Sequence, residues 1–357
     1  MIPVTKPYLP SIKKYQHLLE GIYQRGWLTN SGPLYKELTA RLESYLGVKH
    51  LLVVSNGTLA LQVALKALKL PEKRTVVTSP FTFVASPAAI CWEGHKPQFS
   101  DIDIHSLNLS PTFLTQPATR QPDVIMGVHV FGNPCDVEAL NVKGCRVLYD
   151  ASHAFGVQYK GQSLLNYGDA STLSFHATKL FHCVEGGAIV FKHTDDYEYA
   201  KQIVNFGLDK FGQGMPEVPG LNAKMSEFHA AMGLAMLDDI DYIIAQRKAI
   251  IEQYEAQLKD FVGMQQWSDN SENNGAYMPV IFENEAQCLS VIEALNKVDV
   301  YPRRYFYPSL NTSAPYDDGT ACPHSESIAS RILCLPLYVG LTEVDVAIIC
   351  NIIRSTV

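Results

Sequence analysis

Apolar residues fall into two alternating patterns along the first half of the chain. Short, nearly unbroken runs read as buried strands: LLVV at 51–54, RTVVTS at 74–79, DVIMGVHVF at 123–131, CRVLYD at 145–150, STLSF at 171–175 and GAIVF at 187–191. Between them lie segments with apolar residues at helical spacing, TLALQVALKAL being the plainest. Strands that lack polar alternation need cover on both faces. The pattern therefore predicts an α/β fold with a largely parallel sheet between layers of helices.

From Tyr242 the pattern changes. A long helix, DYIIAQRKAIIEQYEAQLKD, leads to a strand in YMPVIF at 277–282, a helix through SVIEALNKV and a helical tail, LTEVDVAIICNII. Two units are expected: residues 1–241, an N-terminal arm and a large domain, and residues 242–357, a linking helix and a small C-terminal α/β domain. The polar stretch SDNSENNG at 268–275 is expected as an exposed loop of the second unit. Near the start, YLPSIKKYQHLLEGIYQRG reads as one amphipathic helix closed by a glycine and packed across the large domain.

Composition adds bounds. With 357 residues, 47% of them hydrophobic, the chain can bury one large core and a second, smaller one. A formal net charge of -7, with 18% charged residues, leaves no basic field for nucleic acid. The opening MIPVTKPYLP lacks the basic start and apolar run of a signal peptide, and no run of ~18 apolar residues is present. A cytoplasmic protein without a membrane partner is expected. The eight cysteines, Cys91, Cys135, Cys145, Cys183, Cys288, Cys322, Cys334 and Cys350, contain no C-x-x-C pair, so reduced, buried thiols and no metal are expected.

Three strand ends carry chemistry, and ligands of open α/β sheets bind beyond the carboxyl ends of strands. LLVV runs into Ser55-Asn56-Gly57-Thr58, where a glycine and the first turn of a helix suit an anion; an ordinary Thr cap is the alternative. CRVLYD ends in Asp150, a carboxylate that needs a cationic or hydrogen-bonding partner if buried; a helix cap is again the alternative. STLSF runs into His176-Ala177-Thr178-Lys179, where apolar neighbours Leu180 and Phe181 favour a lowered amine pKa, although most lysines are solvated. Together these supply a phosphate anchor, a partner for a protonated ring nitrogen and a lysine for a Schiff base, the set that pyridoxal phosphate requires.

The motifs SNGTLAL, SPFTFVAS, DASHAFG, SFHATK and EGG occur in that order. They resemble those of the DegT/DnrJ/EryC1/StrS sugar aminotransferases, and the likeness extends from GWLTNSGP to LCLPLYVGLT. The resemblance implies the type I pyridoxal-phosphate aminotransferase fold and a homodimer with sites at its interface. It makes Lys179 the Schiff-base lysine and proton shuttle, and Asp150 the partner of the pyridine nitrogen. His153 lies near the ring hydroxyl and Phe83 stacks on the ring. Gly57, Thr58 and Ser174 hold the phosphate, and Asn222 in PGLNAKMSE reaches it from the neighbouring subunit. Two departures stand out: Val184 precedes Glu185 where the family often has glycine, and LNAKM replaces N-Y-R-M.

The resemblance further implies a nucleotide-linked keto-sugar as acceptor, L-glutamate as amino donor, and a deoxyamino-sugar pathway such as that of O-antigen. YPRRYFYPSL at 301–310 and HATKLFHCVEGG resemble enzymes that aminate dTDP-linked 4-keto-6-deoxy hexoses. Arg303, Arg304, Tyr305 and Tyr307 are the candidate substrate contacts, the arginines through bidentate bonds to diphosphate or carboxylate; a solvated pair at a strand end is the plain alternative. Amination at C3 is the alternative outcome. A sugar dehydratase on this scaffold carries His where Lys179 stands. A regulator that kept the fold should lack Lys179 or Asp150, and a nicotinamide dehydrogenase would need G-x-G-x-x-G after the first strand.

Overall fold

The computed structural model describes residues 1–115, 122–208, 215–317 and 319–357. Each apolar run of the first half contains a strand, and a further strand, the third, lies outside those runs: β1 (Leu51–Val54), β2 (Thr75–Thr78), β3 (Lys96–Phe99), β4 (Val124–Val128), β5 (Arg146–Asp150), β6 (Ala170–Ser174) and β7 (Gly187–Phe191). Among the described residues they form one seven-stranded sheet in the order β1-β7-β6-β5-β4-β2-β3. Pairing is parallel from β6 to β3, while β7 runs antiparallel to both β1 and β6. The link from β6 to β7 carries no helix, so the chain turns straight back and the pair must be antiparallel. Strand β3 escapes the apolar pattern because only Pro97 and Phe99 of KPQF are buried, as befits an edge.

Helices α1 (Ile12–Arg25), α2 (Pro33–Leu46), α3 (Gly57–Ala67), α4 (Ala85–Trp92), α5 (Thr194–Ile203) and α6 (Glu227–Leu237) pack on the sheet. Side chains of successive strand residues point to opposite faces. Val53, Val77, Ile125, Val147 and Leu173 accordingly join α1, α2 and α6 in one core. Leu52, Val54, Val76, Val124, Met126 and Leu148 join α3, α4 and α5 in the other. Helix α1 ends where the sequence places its glycine: Gly26 adopts φ 65° and donates its N–H to Ile22 O.

Beyond these lie α7 (Ile240–Leu258), β8 (Gly263–Met264), β9 (Pro279–Ile281), α8 (Glu285–Asn296), α9 (Pro323–Arg331), β10 (Ile332–Cys334) and α10 (Glu343–Thr356). The strands form an antiparallel sheet, β8-β9-β10, over a separate apolar core that includes Tyr254, Phe282, Val291 and Ile349. Two features depart from the sequence reading. The start of the chain joins this unit, with Ile2–Pro3 parallel to Val300–Tyr301. The 268–275 stretch is not simply an exposed loop: Asn274 is 5% exposed and donates to the carbonyls of His153 and Phe155. An apolar seam joining Phe81, Val128 and Phe131 to Ile281, Phe306 and Ile328 lies between the two sheets.

No disulfide joins the cysteines among the described residues; Cys91 is exposed, Cys145 half-buried and the others buried. Among the described residues no helix is long and apolar enough to cross a membrane.

Candidate active site

The carboxyl ends of β1, β4, β5 and β6 open into one cleft of ≈ 300 Å³. Its wall at the end of β1 is Asn56, Gly57 and Thr58. Asn56 caps α3 by accepting from Leu59 N at 2.8 Å, so the chain turns sharply from strand to helix there. A Cβ on Gly57 would lie 2.8 Å from Ser174 Cβ, so only glycine allows β1 and β6 to end this close together. Amides of a first helical turn have no intrahelical acceptor and favour an anion, and the hydroxyls of Thr58 and Ser174 line the same end of the cleft.

Asp150 ends β5 and is 6% exposed. One carboxylate oxygen accepts from Ser86 Oγ at 2.7 Å and the other from Ser152 N at 3.1 Å. Ser86 in turn shares a 2.9 Å hydrogen bond with Thr82 Oγ1. No ion pair to Asp150 occurs among the described residues.

His153 follows in the same loop. Phe131 N donates to its Nδ1 at 3.2 Å, which places the proton of the neutral ring on Nε2. Burial, reinforced by the charge of Lys179, pushes the imidazole well below its ordinary range. The ring lies nearly parallel to Phe131 and Phe306 and 4.5 Å from Tyr277.

Lys179 lies just past β6 and lines the same cleft. Burial lowers its amine to about 8, against the opposing pull of Asp150. Phe83 is 53% exposed in the turn before α4 and lines the cleft, so it is not a residue of a core strand. His176 also lines the cleft and contacts Glu185 at 3.6 Å. His182 instead packs away, bonded to Tyr8 O at 2.7 Å.

The four candidate substrate residues divide. Arg303 and Tyr305 line the cleft, with the guanidinium 4.9 Å from the Tyr305 ring centroid. Arg304 and Tyr307 lie outside this chain's cleft. Arg304 is committed to Glu285 and to Ser330 O, and Tyr307 stacks on it at 3.4 Å. Adjacent residues of an extended segment point to opposite sides, so only one arginine of the pair can face the cleft. Asn222 lies outside this chain's own cleft, where its side-chain oxygen accepts from Lys224 at 2.7 Å.

Two further cleft residues have no strong sequence signal. His129 follows β4 as the Asp150 loop follows β5; it is fully buried and stacked on Tyr149 at 4.6 Å. Its Nδ1 accepts from Cys135 N, and its Nε2 has no partner among the described residues. Burial lowers this imidazole to about 3, so it is neutral. Tyr277, from the segment before β9, places its hydroxyl 3.5 Å from Lys179 Nζ. Val184, the departure noted in the EGG motif, sits at φ 70°, a conformation that strains a β-branched residue and suits glycine.

A model of the DegT/DnrJ/EryC1/StrS aminotransferase family matches residues 11–354. The chain is 36% identical to a dTDP-4-amino-4,6-dideoxy-D-glucose transaminase of Shigella dysenteriae, over 99% of this chain and 98% of the relative. It is 34% identical to a protein of the same name from Escherichia coli, over 96% and 95% of the two chains. Its fold matches the crystal structure of DesI in the presence of its TDP-sugar product with a TM-score of 0.91 and 32% identity, covering 99% of this chain and 92% of that one.

Proposed function

The chain belongs to the DegT/DnrJ/EryC1/StrS aminotransferase family, and from that premise we propose that it transfers an amino group from L-glutamate to C4 of a dTDP-linked 4-keto-6-deoxy hexose, with pyridoxal phosphate bound in the cleft. One observation carries the reading: a buried carboxylate with no ion pair among the described residues and an amine lowered to about 8 stand at and just beyond the ends of neighbouring strands and face one cleft.

The donor set fits the cofactor. Asp150 needs a positive partner, which a protonated pyridine nitrogen supplies. Because Gly57 carries no Cβ, the first turn of α3 sits against Ser174, and the free amides of that turn share one wall of the cleft with Thr58 and Ser174, which suits a phosphate group. Bound there, pyridoxal phosphate supplies a carbonyl that condenses with amines and a ring that draws electrons from the attached carbon. Gly57, Thr58 and Ser174 hold its phosphate. Asp150 would keep a proton on the ring nitrogen, His153, whose free Nε2–H is available as a donor, would serve the ring hydroxyl, and Phe83 would cover the ring. Lys179 would hold the carbonyl covalently, and its Nζ is the group that would carry protons to and from the reacting carbon. The 1–241 and 242–357 units divide the work, the first binding the cofactor and the second contributing Arg303 and Tyr305 for the substrate. Arg303 suits an anionic group, the diphosphate or the glutamate carboxylate.

The active unit in this reading is a homodimer in which Asn222 reaches the partner's phosphate site, consistent with its place outside its own chain's cleft. Sedimentation at assay concentration is expected to give a dimer, and a fully active monomer would contradict it.

The substrate is tested by incubating the protein, pyridoxal phosphate and glutamate with the 4-keto and the 3-keto sugar nucleotide in separate reactions and locating the new amine by NMR. An amine at C4 is expected. An amine at C3 alone would overturn the position while leaving amine transfer in place, and no amine in either reaction would overturn the substrate class.

A further inference from the structure

Lysine is flexible, and an amine that must both attach covalently and shuttle protons needs something to hold it in each state. Asp150 is already bonded to Ser86 and Ser152. The Tyr277 hydroxyl lies 3.5 Å from Lys179 Nζ, which is also 6.0 Å from the Tyr277 ring centroid. This distance is long for a hydrogen bond, as is common in such sites before the substrate complex forms.

Tyr277 is itself held from several sides. Its ring packs 4.5 Å from His153, 5.4 Å from Phe131 and edge-on to Tyr305 at 5.7 Å. Behind it, Arg247 of α7 is 6% exposed and forms no ion pair among the described residues. Its guanidinium instead donates to three carbonyls: Nε to Gly275 at 2.6 Å, one terminal nitrogen to Ala276 at 2.7 Å and the other to Leu337 at 2.8 Å. Gly275 and Ala276 immediately precede Tyr277. On the opposite side, Asn274 accepts from Ala276 N and donates to His153 O and Phe155 O. A buried cation spent on three carbonyls is a costly device, and what it fixes is the backbone that presents Tyr277 to the lysine.

We propose that Tyr277 is the positioning residue for the Lys179 amine, its hydroxyl accepting from the ammonium and donating to the neutral amine, and that Arg247 sets its place. The inference rests on the reading of Lys179 given above. The charged and titratable groups around the amine are Asp150, His153 and Tyr277, with Cys334, Arg247, Arg303 and Tyr305 behind the phenol. Tyr277→Phe keeps the ring packing and removes only the hydroxyl.

Two measurements are made on Tyr277→Phe. In the pyridoxal-phosphate-loaded enzyme, kcat is expected to fall about 10–100-fold with KM for both substrates within about threefold. In the cofactor-free chain, competitive labelling with acetic anhydride and peptide mapping gives the titration midpoint of Lys179. It is expected to drop by about 0.5–1 pH unit, because a hydrogen bond is worth more to the ammonium than to the amine. Adding Arg247→Lys to Tyr277→Phe should lower kcat no further, since both act through one hydroxyl. A kcat within about twofold of the parent, or an unmoved midpoint, overturns the proposal. The labelling arm needs no cofactor, so it judges the contact even if cofactor attachment elsewhere were to overturn the reading of Lys179.

Discussion

Lys179→Ala is expected to lower amine transfer by about 10⁴-fold or more, because one side chain is asked for both covalent attachment and proton transfer. Alanine leaves β6 and its pairing with β7 untouched, so the loss comes from chemistry and not from the sheet. The parent should show a matching pH dependence. With the amine lowered to about 8, the neutral, nucleophilic form grows through that pH and predominates above it. Cofactor attachment should therefore speed up with pH and level off above about 8. Single-turnover amine formation from glutamate checks the mutant; retention of even a tenth of the parental rate would exclude the assigned role.

Asp150→Asn is expected to leave the cofactor bound and to slow proton removal from the amino donor by roughly 10²–10⁴-fold. The side chain keeps its size and its neighbours. The amide oxygen still accepts from Ser152 N, and its nitrogen donates to Ser86 Oγ, whose hydroxyl then turns toward Thr82. What is lost is negative charge beside the ring nitrogen. Removing one member of a buried pair costs about 3–5 kcal/mol, which as a barrier corresponds to the expected loss of rate. Stopped-flow absorbance with glutamate is the check. A near-parental rate would show that Asp150 serves only to fix its loop through Ser86 and Ser152.

The strand ends that gather into the cleft were legible because they end unbroken apolar runs. Asp150 ends such a run, Gly57 and Lys179 lie within a few residues of one, and strands aligned in one sheet bring these ends to one edge. Phe83 was legible through its motif and not through polarity, since an exposed aromatic in a turn looks like any core residue until the fold is known. What stayed hidden depends on tertiary placement. Arg303 and Arg304 are chemically alike, and only the side chosen by Glu285 and Ser330 O separates them. Tyr277 meets Lys179 from 98 residues away, through a loop whose polar sequence suggests exposure. Strand β3 hid because KPQF is only four residues long and offers two buried positions, too short for its alternation to register. Val184 was visible as a departure from the family motif, while its cost became visible only with φ 70°.

The central claim is that pyridoxal phosphate bonds to Lys179 at the end of β6. Its most direct test is borohydride reduction of the pyridoxal-phosphate-loaded protein followed by peptide mapping. The account predicts the pyridoxyl label on Lys179 and its absence in Lys179→Ala; a label on any other lysine, or no label in the parent, would contradict it.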